Sequence, residues 1–106
     1  MDNDDWAEIA DNASNALELS PNDTVLYFNR AFAYFNMGDF EKALEDYNKA
    51  IELSPEDAEA YFRRANIFLQ LDNIQEAVSD FETFLELDPD NANAEAVKEA
   101  LETLKA

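Results

Sequence analysis

The feature that most constrains this chain is a period of 34 residues. A run reading Glu-Leu-Ser-Pro or Glu-Leu-Asp-Pro occurs three times at this spacing and ends at Pro21, Pro55 and Pro89. A fixed period of about 20 to 50 residues is typical of supersecondary units that bury their apolar faces only by stacking on one another. The sequence therefore predicts a repeat protein rather than an irregular globule.

Each period divides into two helices. A proline ends the helix that precedes it, and an Asp or Asn two residues later offers an N-cap oxygen, at Asp23, Asp57 and Asn91. Within the hairpins, Gly38 is expected to adopt the left-handed conformation that ends a helix, and Asp72 takes its place one repeat later. The predicted helices lie at residues 6–19, 24–37, 40–53, 58–71, 74–87 and 92–105.

Further N-caps are predicted inside the hairpins and at the start of the chain. Asp39 and Asn73 precede the second helix of their hairpins, and Glu76 stands where it would complete a capping box with Asn73. The same box pattern pairs Asp5 with Glu8, so we expect the first helix to begin after Asp5.

The spaced small and aromatic positions resemble the signature of the tetratricopeptide repeat. The first copy reads Tyr27, Ala31, Tyr34, Gly38, Ala43, Tyr47, Ala50 and Pro55, and the second reads Tyr61, Ala65, Phe68, Ala77, Phe81 and Pro89. In the second copy, Asp72 replaces the usual Gly and Phe84 replaces a small residue.

The resemblance implies an all-α fold, a right-handed superhelical stack of antiparallel helical hairpins, or α-solenoid, with about six helices. It further implies a single domain over residues 1–106. The expected parts are 5–23 as the second helix of a partial repeat, 24–57 and 58–91 as full repeats, and 92–106 as a C-terminal capping helix.

The residue types argue against catalysis. The chain contains no Cys and no His, which removes thiolate nucleophiles, imidazole bases and the usual ligands of zinc and copper. The acidic clusters lack the alternating ligands, Gly and terminal Glu of a calcium-binding loop. We therefore expect no enzyme activity, no cofactor and no metal.

The formal charge is −18, from 25 acidic and seven basic side chains. Such a field repels phosphate backbones and anionic lipids, so nucleic acid and membrane surfaces are not expected partners. Two interpretations stay open: the acidity serves solubility or tolerance of salt, or it selects basic partners. We expect a soluble, cytoplasmic protein; a targeting segment removed from the chain would leave no trace in it.

The helix predicted at 24–37 is apolar around nearly its whole circumference, so more than one surface must bury it. In tetratricopeptide proteins, as the resemblance implies, one side of the first helices lines a concave groove that holds a peptide. The candidate site on that side comprises Phe28, Asn29, Phe32, Phe35, Asn36, Phe62, Arg63, Asn66 and Gln70. The predicted function is a protein–protein interaction module that binds a peptide or protein segment in this groove.

Two alternatives concern the same residues. Phe28, Phe32 and Phe35 have the spacing of core residues that pack against neighbouring helices. Some family members grip a terminal carboxylate with Lys, Asn and Arg, and Asn29 and Arg63 fall at two such positions. Glu59 stands where a clamp Lys would lie, so we expect a ligand with basic and apolar residues and no carboxylate clamp.

The first predicted helix carries Trp6, Ile9 and Leu17 without an upstream helix to cover them. One interpretation is that the chain is trimmed from a longer array. The other is that a second molecule covers this face, which would make the chain a self-associating scaffold and a homodimer.

Overall fold

The computed structural model describes residues 2–106, and helices account for most of them. The six helices are α1 (Asn3–Leu19), α2 (Thr24–Asn36), α3 (Phe40–Leu53), α4 (Ala58–Gln70), α5 (Ile74–Leu87) and α6 (Ala94–Lys105). The predicted all-α helical repeat is confirmed, and α3 and α5 have the predicted bounds. Between residues 2 and 106, no helix combines the length and the apolar character needed to cross a membrane.

The chain divides into two compact units, one ending at Pro55 and the other beginning at Glu56. In unit 1, α2 packs against both α1 and α3. Alanine dominates its buried positions, which lets helix backbones approach closely. The buried apolar residues of this unit are Ala10, Ala13, Leu17, Ala31, Ala33, Ala43, Tyr47 and Ala50.

Leu17 is buried, so the expectation that α1 leaves its apolar side bare is wrong for this residue. The reason is that α2 packs against α1 and supplies cover from within the unit. Trp6 is also half-buried, with its ring edge-on to that of Phe32. Ile9 lines a cavity between α1 and α2.

In unit 2, α5 packs against both α4 and α6. Phe84, which departs from the repeat pattern, is fully buried and belongs to a cluster with Ala65, Phe81 and Val97. Side chains from all three helices of the unit, among them Leu69 and Leu101, pack against this cluster. The larger side chain at residue 84 therefore fills the space between α4, α5 and α6.

The turn between α2 and α3 ends α2 with two backbone hydrogen bonds. Gly38 has a φ of 80° and donates its N–H to the carbonyl of Phe35 over 3.0 Å. The N–H of Asp39 reaches the carbonyl of Tyr34 over 2.9 Å. This pair of bonds is the Schellman motif, which satisfies carbonyls that the helix end leaves free. The predicted left-handed cap at Gly38 is confirmed.

The turn between α4 and α5 repeats this motif without glycine. Asp72 has a φ of 63°, and its N–H reaches the carbonyl of Leu69 over 3.1 Å. The N–H of Asn73 bonds the carbonyl of Phe68 over 2.8 Å. A residue with a Cβ is strained in this conformation, although Asp tolerates it better than most.

Several predicted side-chain caps are wrong. Asp39 and Asn73 directly precede α3 and α5, but neither side chain makes a capping hydrogen bond, so the box with Glu76 does not form. Their ψ angles of 74° and 75° lie outside the usual cap conformation. The turn motif imposes this geometry because it ties the N–H of each cap residue to the preceding helix.

The ends of the chain also differ from the prediction. Helix α1 begins at Asn3, because Asp2 and Asp5 cap each other over 3.1 and 3.4 Å; the predicted box with Glu8 is wrong. Helix α6 begins at Ala94, because the Asn91 side chain accepts a hydrogen bond from the Asn93 N–H over 2.8 Å. That bond holds residues 91–93 in a turn outside the helix.

Of the two remaining predicted N-caps, Asp23 forms its capping hydrogen bonds and Asp57 does not. Asp23 accepts hydrogen bonds from the N–H groups of Val25 and Leu26 over 3.0 and 3.4 Å, as predicted. Asp57 precedes α4 in an extended conformation and makes no side-chain cap bond. An aspartate at the right position therefore caps only one of the two repeats.

A buried ion pair joins the two helices of each hairpin. Arg30 on α2 binds Asp46 on α3 through two bonds of 2.7 Å, and its third nitrogen reaches the hydroxyl of Ser14 on α1 over 3.0 Å. One repeat later, Arg64 binds Asp80 through two bonds of 2.7 Å. Fork-shaped pairing of this kind fixes orientation as well as adding energy.

Aromatic rings complete the surroundings of both arginines. The guanidinium of Arg30 lies 5.8 Å from the Tyr27 ring and 5.9 Å from the Tyr34 ring. The hydrogen bond to Asp46 raises the pKa of Arg30 above its ordinary value, against the lowering effect of partial burial. The cation is thus held in place by a carboxylate on one side and by ring faces on the others.

The turn conformations give a first testable prediction. We expect Asp72→Gly to raise the free energy of unfolding by about 0.5 to 1 kcal/mol, because glycine relieves the strain at positive φ. Gly38→Ala should lower it by about 1 kcal/mol, since a Cβ there meets no neighbour and only the backbone is strained. Urea denaturation measures both, with Asp72→Asn as the control for loss of charge. A lower stability of Asp72→Gly would contradict the account.

The buried pairs give a second prediction. We expect Asp80→Ala to lower the free energy of unfolding by about 2 to 4 kcal/mol, because it leaves the largely buried Arg64 without its carboxylate. Glu82 lies on α5 as Asp80 does, and it is the exposed partner of Lys105 on α6. Glu82→Ala should lower the free energy of unfolding by less than about 1 kcal/mol. Thermal and urea unfolding of the two variants measures the difference. Equal losses would show that the buried pair adds nothing beyond a surface pair.

Candidate functional site

The structure places the nine candidate residues on the first helix of each hairpin. Five lie on α2 in unit 1, and four lie on α4 in unit 2. These residues differ in how much of each side chain is buried in packing or engaged in hydrogen bonds within the chain. The five residues on α2 form the α2 set, and the four residues on α4 form the α4 set.

The aromatic members of the α2 set pack against neighbouring helices and stay partly open to solvent. Phe28, Phe32 and Phe35 are all half-buried. Each ring centroid lies 5.4 to 5.6 Å from one ring of another helix: Phe28 from Tyr47, Phe32 from Trp6, and Phe35 from Phe40. Packing and ligand contact are therefore compatible for these residues, because each ring contacts a neighbouring helix and the residue stays partly exposed.

The amide members of the α2 set are exposed. Asn36 donates from Nδ2 to the carbonyl of Phe32 over 2.8 Å, which holds its side chain along the helix. Asn29 is exposed at the mouth of a cavity of about 310 Å³ between α1 and α2. The other lining residues are Ile9, Asn12, Ala13 and Leu26. Polar hydrogen-bonding groups thus border an apolar floor on this side of unit 1.

The α4 set has the same mixture of packed and open side chains. The ring of Phe62 lies 5.2 Å from that of Phe84 and 6.2 Å from that of Phe81, both on α5. Asn66 donates from Nδ2 to the carbonyl of Phe62 over 3.0 Å. Gln70 is exposed at the end of α4.

A pocket of about 200 Å³ lies beside this set in unit 2, and we call it the α4–α6 pocket. Its wall is almost entirely apolar, and α4, α5 and α6 all contribute to it. The lining residues are Phe62, Asn66, Leu69, Phe81, Ala96, Val97 and Ala100. Two of the predicted site residues, Phe62 and Asn66, are among them.

The α6 residues of the pocket were not predicted as site residues. A signal for them exists in the sequence, because Ala96 and Ala100 are small residues four positions apart and so share one face of a helix. Their methyl groups leave room beside α4 that larger side chains would fill.

Arg63 is engaged by its own helix. Its Nε lies 2.9 Å from the carboxylate of Glu59, one turn earlier, and both side chains are more than one-third exposed. The residue that stands at the position of a clamp Lys therefore neutralises the arginine beside it. This pairing favours the expectation that no carboxylate clamp operates here.

The other basic side chains are also paired. All seven Lys and Arg residues have an acidic partner, with nitrogen–oxygen distances from 2.7 to 3.7 Å. The pairs join Arg30 to Asp46, Lys42 to Asp39, Lys49 to Glu52, Arg63 to Glu59, Arg64 to Asp80, Lys98 to Glu95, and Lys105 to Glu82. With 25 acidic side chains in the chain, the surface excess is entirely negative.

Comparison with known proteins agrees with this architecture. Family models described as tetratricopeptide repeat match residues 25–57 and residues 50–102. A search of curated proteins finds no match to the chain. The first TPR of Spaghetti (RPAP3), solved with the HSP90 peptide SRMEEVD, is 32% identical; the match covers 95% of this chain and 78% of that one, with a TM-score of 0.86.

Two further solved structures are similar over comparable lengths. The second TPR domain of human RPAP3, in complex with the HSP70 peptide SGPTIEEVD, is 29% identical, with 95% of this chain and 82% of that one covered and a TM-score of 0.83. The TPR domain of Arabidopsis OM64 is 28% identical, with 94% and 83% covered and a TM-score of 0.87.

The packed and open members of the site should respond differently to truncation. We expect Phe62→Ala to lower the free energy of unfolding by about 2 to 3 kcal/mol, because the ring packs against two others on α5. Gln70→Ala should change it by less than about 0.5 kcal/mol, since the side chain is exposed. Urea denaturation distinguishes the two. A neutral Phe62→Ala would show that the ring does not serve the core.

Proposed function

This chain belongs to the tetratricopeptide repeat family, and from that premise we propose that it is a protein-interaction module that binds a peptide or protein segment. Domains of the family are interaction modules, and two of the similar structures hold a peptide. The observation that carries the proposal is the 32% identity, over 95% of this chain, to a domain solved with its peptide.

We place the binding surface on the α2 set and the α4 set. Half-buried rings such as Phe28 and Phe32 offer apolar area to a ligand at little entropic cost, because packing already restrains them. Exposed amides such as Asn29 and Gln70 offer hydrogen bonds to an extended backbone. That the two sets line a common groove stays a prediction.

The proposed ligand carries basic and apolar residues. Both HSP peptides in the similar structures end in Glu-Glu-Val-Asp, and a terminal carboxylate needs cations to hold it. In this chain, Arg63 already pairs with Glu59, and the other six cations are paired elsewhere. A net charge of −18 therefore favours Lys and Arg in the ligand and disfavours an acidic tail.

The test begins with a selection of short peptides against the full chain, followed by measurement of their dissociation constants. We expect the double variant Asn29→Ala, Gln70→Ala to weaken a selected peptide about tenfold, because each lost hydrogen bond contributes roughly 0.5 to 1.5 kcal/mol. Both residues are exposed, so the helices should remain intact.

The matched control is Asn15→Ala, Gln75→Ala, which removes the same two side-chain types from exposed positions on α1 and α5. This control should bind as the parent does. Equal weakening by both variants, or NMR shift changes confined to α3 and α5, would contradict the proposal.

A further inference from the structure

We infer that the α4–α6 pocket receives a single apolar side chain of the partner, and that this residue is flanked by Lys or Arg. The inference rests on the proposed function and deepens it, because it assigns an anchor point and a chemistry to one part of the surface. It concerns unit 2 alone, where α4, α5 and α6 supply every lining residue.

The size of the pocket limits what it can hold. Its volume is about 200 Å³, and an apolar cavity of roughly 150 Å³ accommodates a benzene ring. One side chain of the size of Leu, Met or Phe therefore fits, whereas a helix does not. The lining is apolar except for Asn66, which donates from Nδ2 to the carbonyl of Phe62, so a polar side chain would lose its hydration there and gain few partners.

Small residues on α6 create the opening. Ala96 is exposed and Ala100 is half-buried, so the methyl groups of both stand beside the pocket with access from solvent. On the other wall, Phe62 and Leu69 are half-buried. The pocket is thus a ready apolar surface on the outside of the unit rather than a void in its core.

The charges around the pocket decide which residues flank the anchor. On α4, Glu59 lies three residues before Phe62 in the sequence, and its charge is balanced by Arg63. On α6, Glu99 is exposed, stands directly before Ala100 and forms no ion pair within residues 2–106. The local balance beside the opening is therefore negative.

The rest of unit 2 reinforces this sign. Residues 56–106 contain 13 Asp and Glu against four Lys and Arg. All four cations are paired, as Arg63 with Glu59, Arg64 with Asp80, Lys98 with Glu95 and Lys105 with Glu82. Basic residues next to the anchor would gain attraction, and acidic ones would meet only repulsion.

Three synthetic peptides test this chemistry on the full chain. The first has a central Leu with two Lys at each end, KKSLSKK; the second replaces every Lys with Glu; the third replaces the Leu with Ser. We expect the first to bind at least about tenfold more tightly than either of the others. We also expect it to shift the methyl NMR signals of Leu69, Ala96 and Ala100.

Variants of the chain place the effect at the pocket. Ala100→Leu fills the space and should weaken the first peptide about tenfold, whereas Gln75→Leu, which adds the same side chain at an exposed position outside the pocket, should not. Glu99→Gln should weaken it about threefold. Glu86→Gln, an exposed position on α5 with the same change in net charge, should have a smaller effect.

Each result decides between outcomes. If the first peptide shows no binding, or binds Ala100→Leu as tightly as the parent, the inference is wrong. If the acidic peptide binds best, the pocket binds a residue flanked by acidic side chains, and the assignment of flanking Lys or Arg is wrong. The proposed function is judged separately by the selected peptides and the Asn29→Ala, Gln70→Ala variant, so it survives either failure.

Discussion

The interaction on which the rest of this structure depends is the buried arginine–aspartate pair between the two helices of each hairpin. Asp46 and Asp80 are about 5% exposed, and a carboxylate that deep is stable only with a bonded cation. Arg30 and Arg64 supply that cation in the same geometry, 34 residues apart. Aromatic rings lie about 6 Å from each guanidinium, so the pair also fixes how the two helices face each other.

This use of arginine has a consequence for recognition. The chain has seven cations, and each is engaged with an acidic side chain. The fold is shared with domains solved with peptides that end in Glu-Glu-Val-Asp, and in this chain Arg63 is paired with Glu59. Because one fold can carry different side chains, the side chains rather than the helices decide what such a domain can bind.

The helices were largely predictable because single residues close to their ends determine where they stop. Pro55 and Pro89 stop α3 and α5, and Gly38 with its counterpart Asp72 breaks each hairpin, so both helices agree with prediction to the residue. The predicted start of α6 at residue 92 was wrong, because the Asn91 side chain accepts a hydrogen bond from the Asn93 N–H instead of capping the helix. The spacing of apolar residues does not indicate whether a side chain forms a turn or an N-cap.

The ion pairs and the pocket could not be predicted, for a different reason. Arg30, Asp46 and their copies stand in the sequence at a constant separation, but their pairing depends on the rotation of one helix against another. The α4–α6 pocket likewise depends on how close α6 comes to α4, which neither helix specifies alone. The aromatic residues of the candidate site show both effects, since Phe28 and Phe62 lie on the predicted helices yet also pack against partners that spacing did not identify.

Folding engages every cation of this chain with an acidic side chain and leaves an acidic, partly apolar surface, which we propose for the partner. The dependence of a selected peptide's dissociation constant on salt concentration measures whether opposite charges hold the partner on this surface. We expect binding to weaken about tenfold between roughly 50 and 500 mM NaCl, because screening removes the attraction between opposite charges. A dissociation constant that stays the same or falls with added salt would show that opposite charges do not hold the peptide, and the expected basic ligand would be wrong.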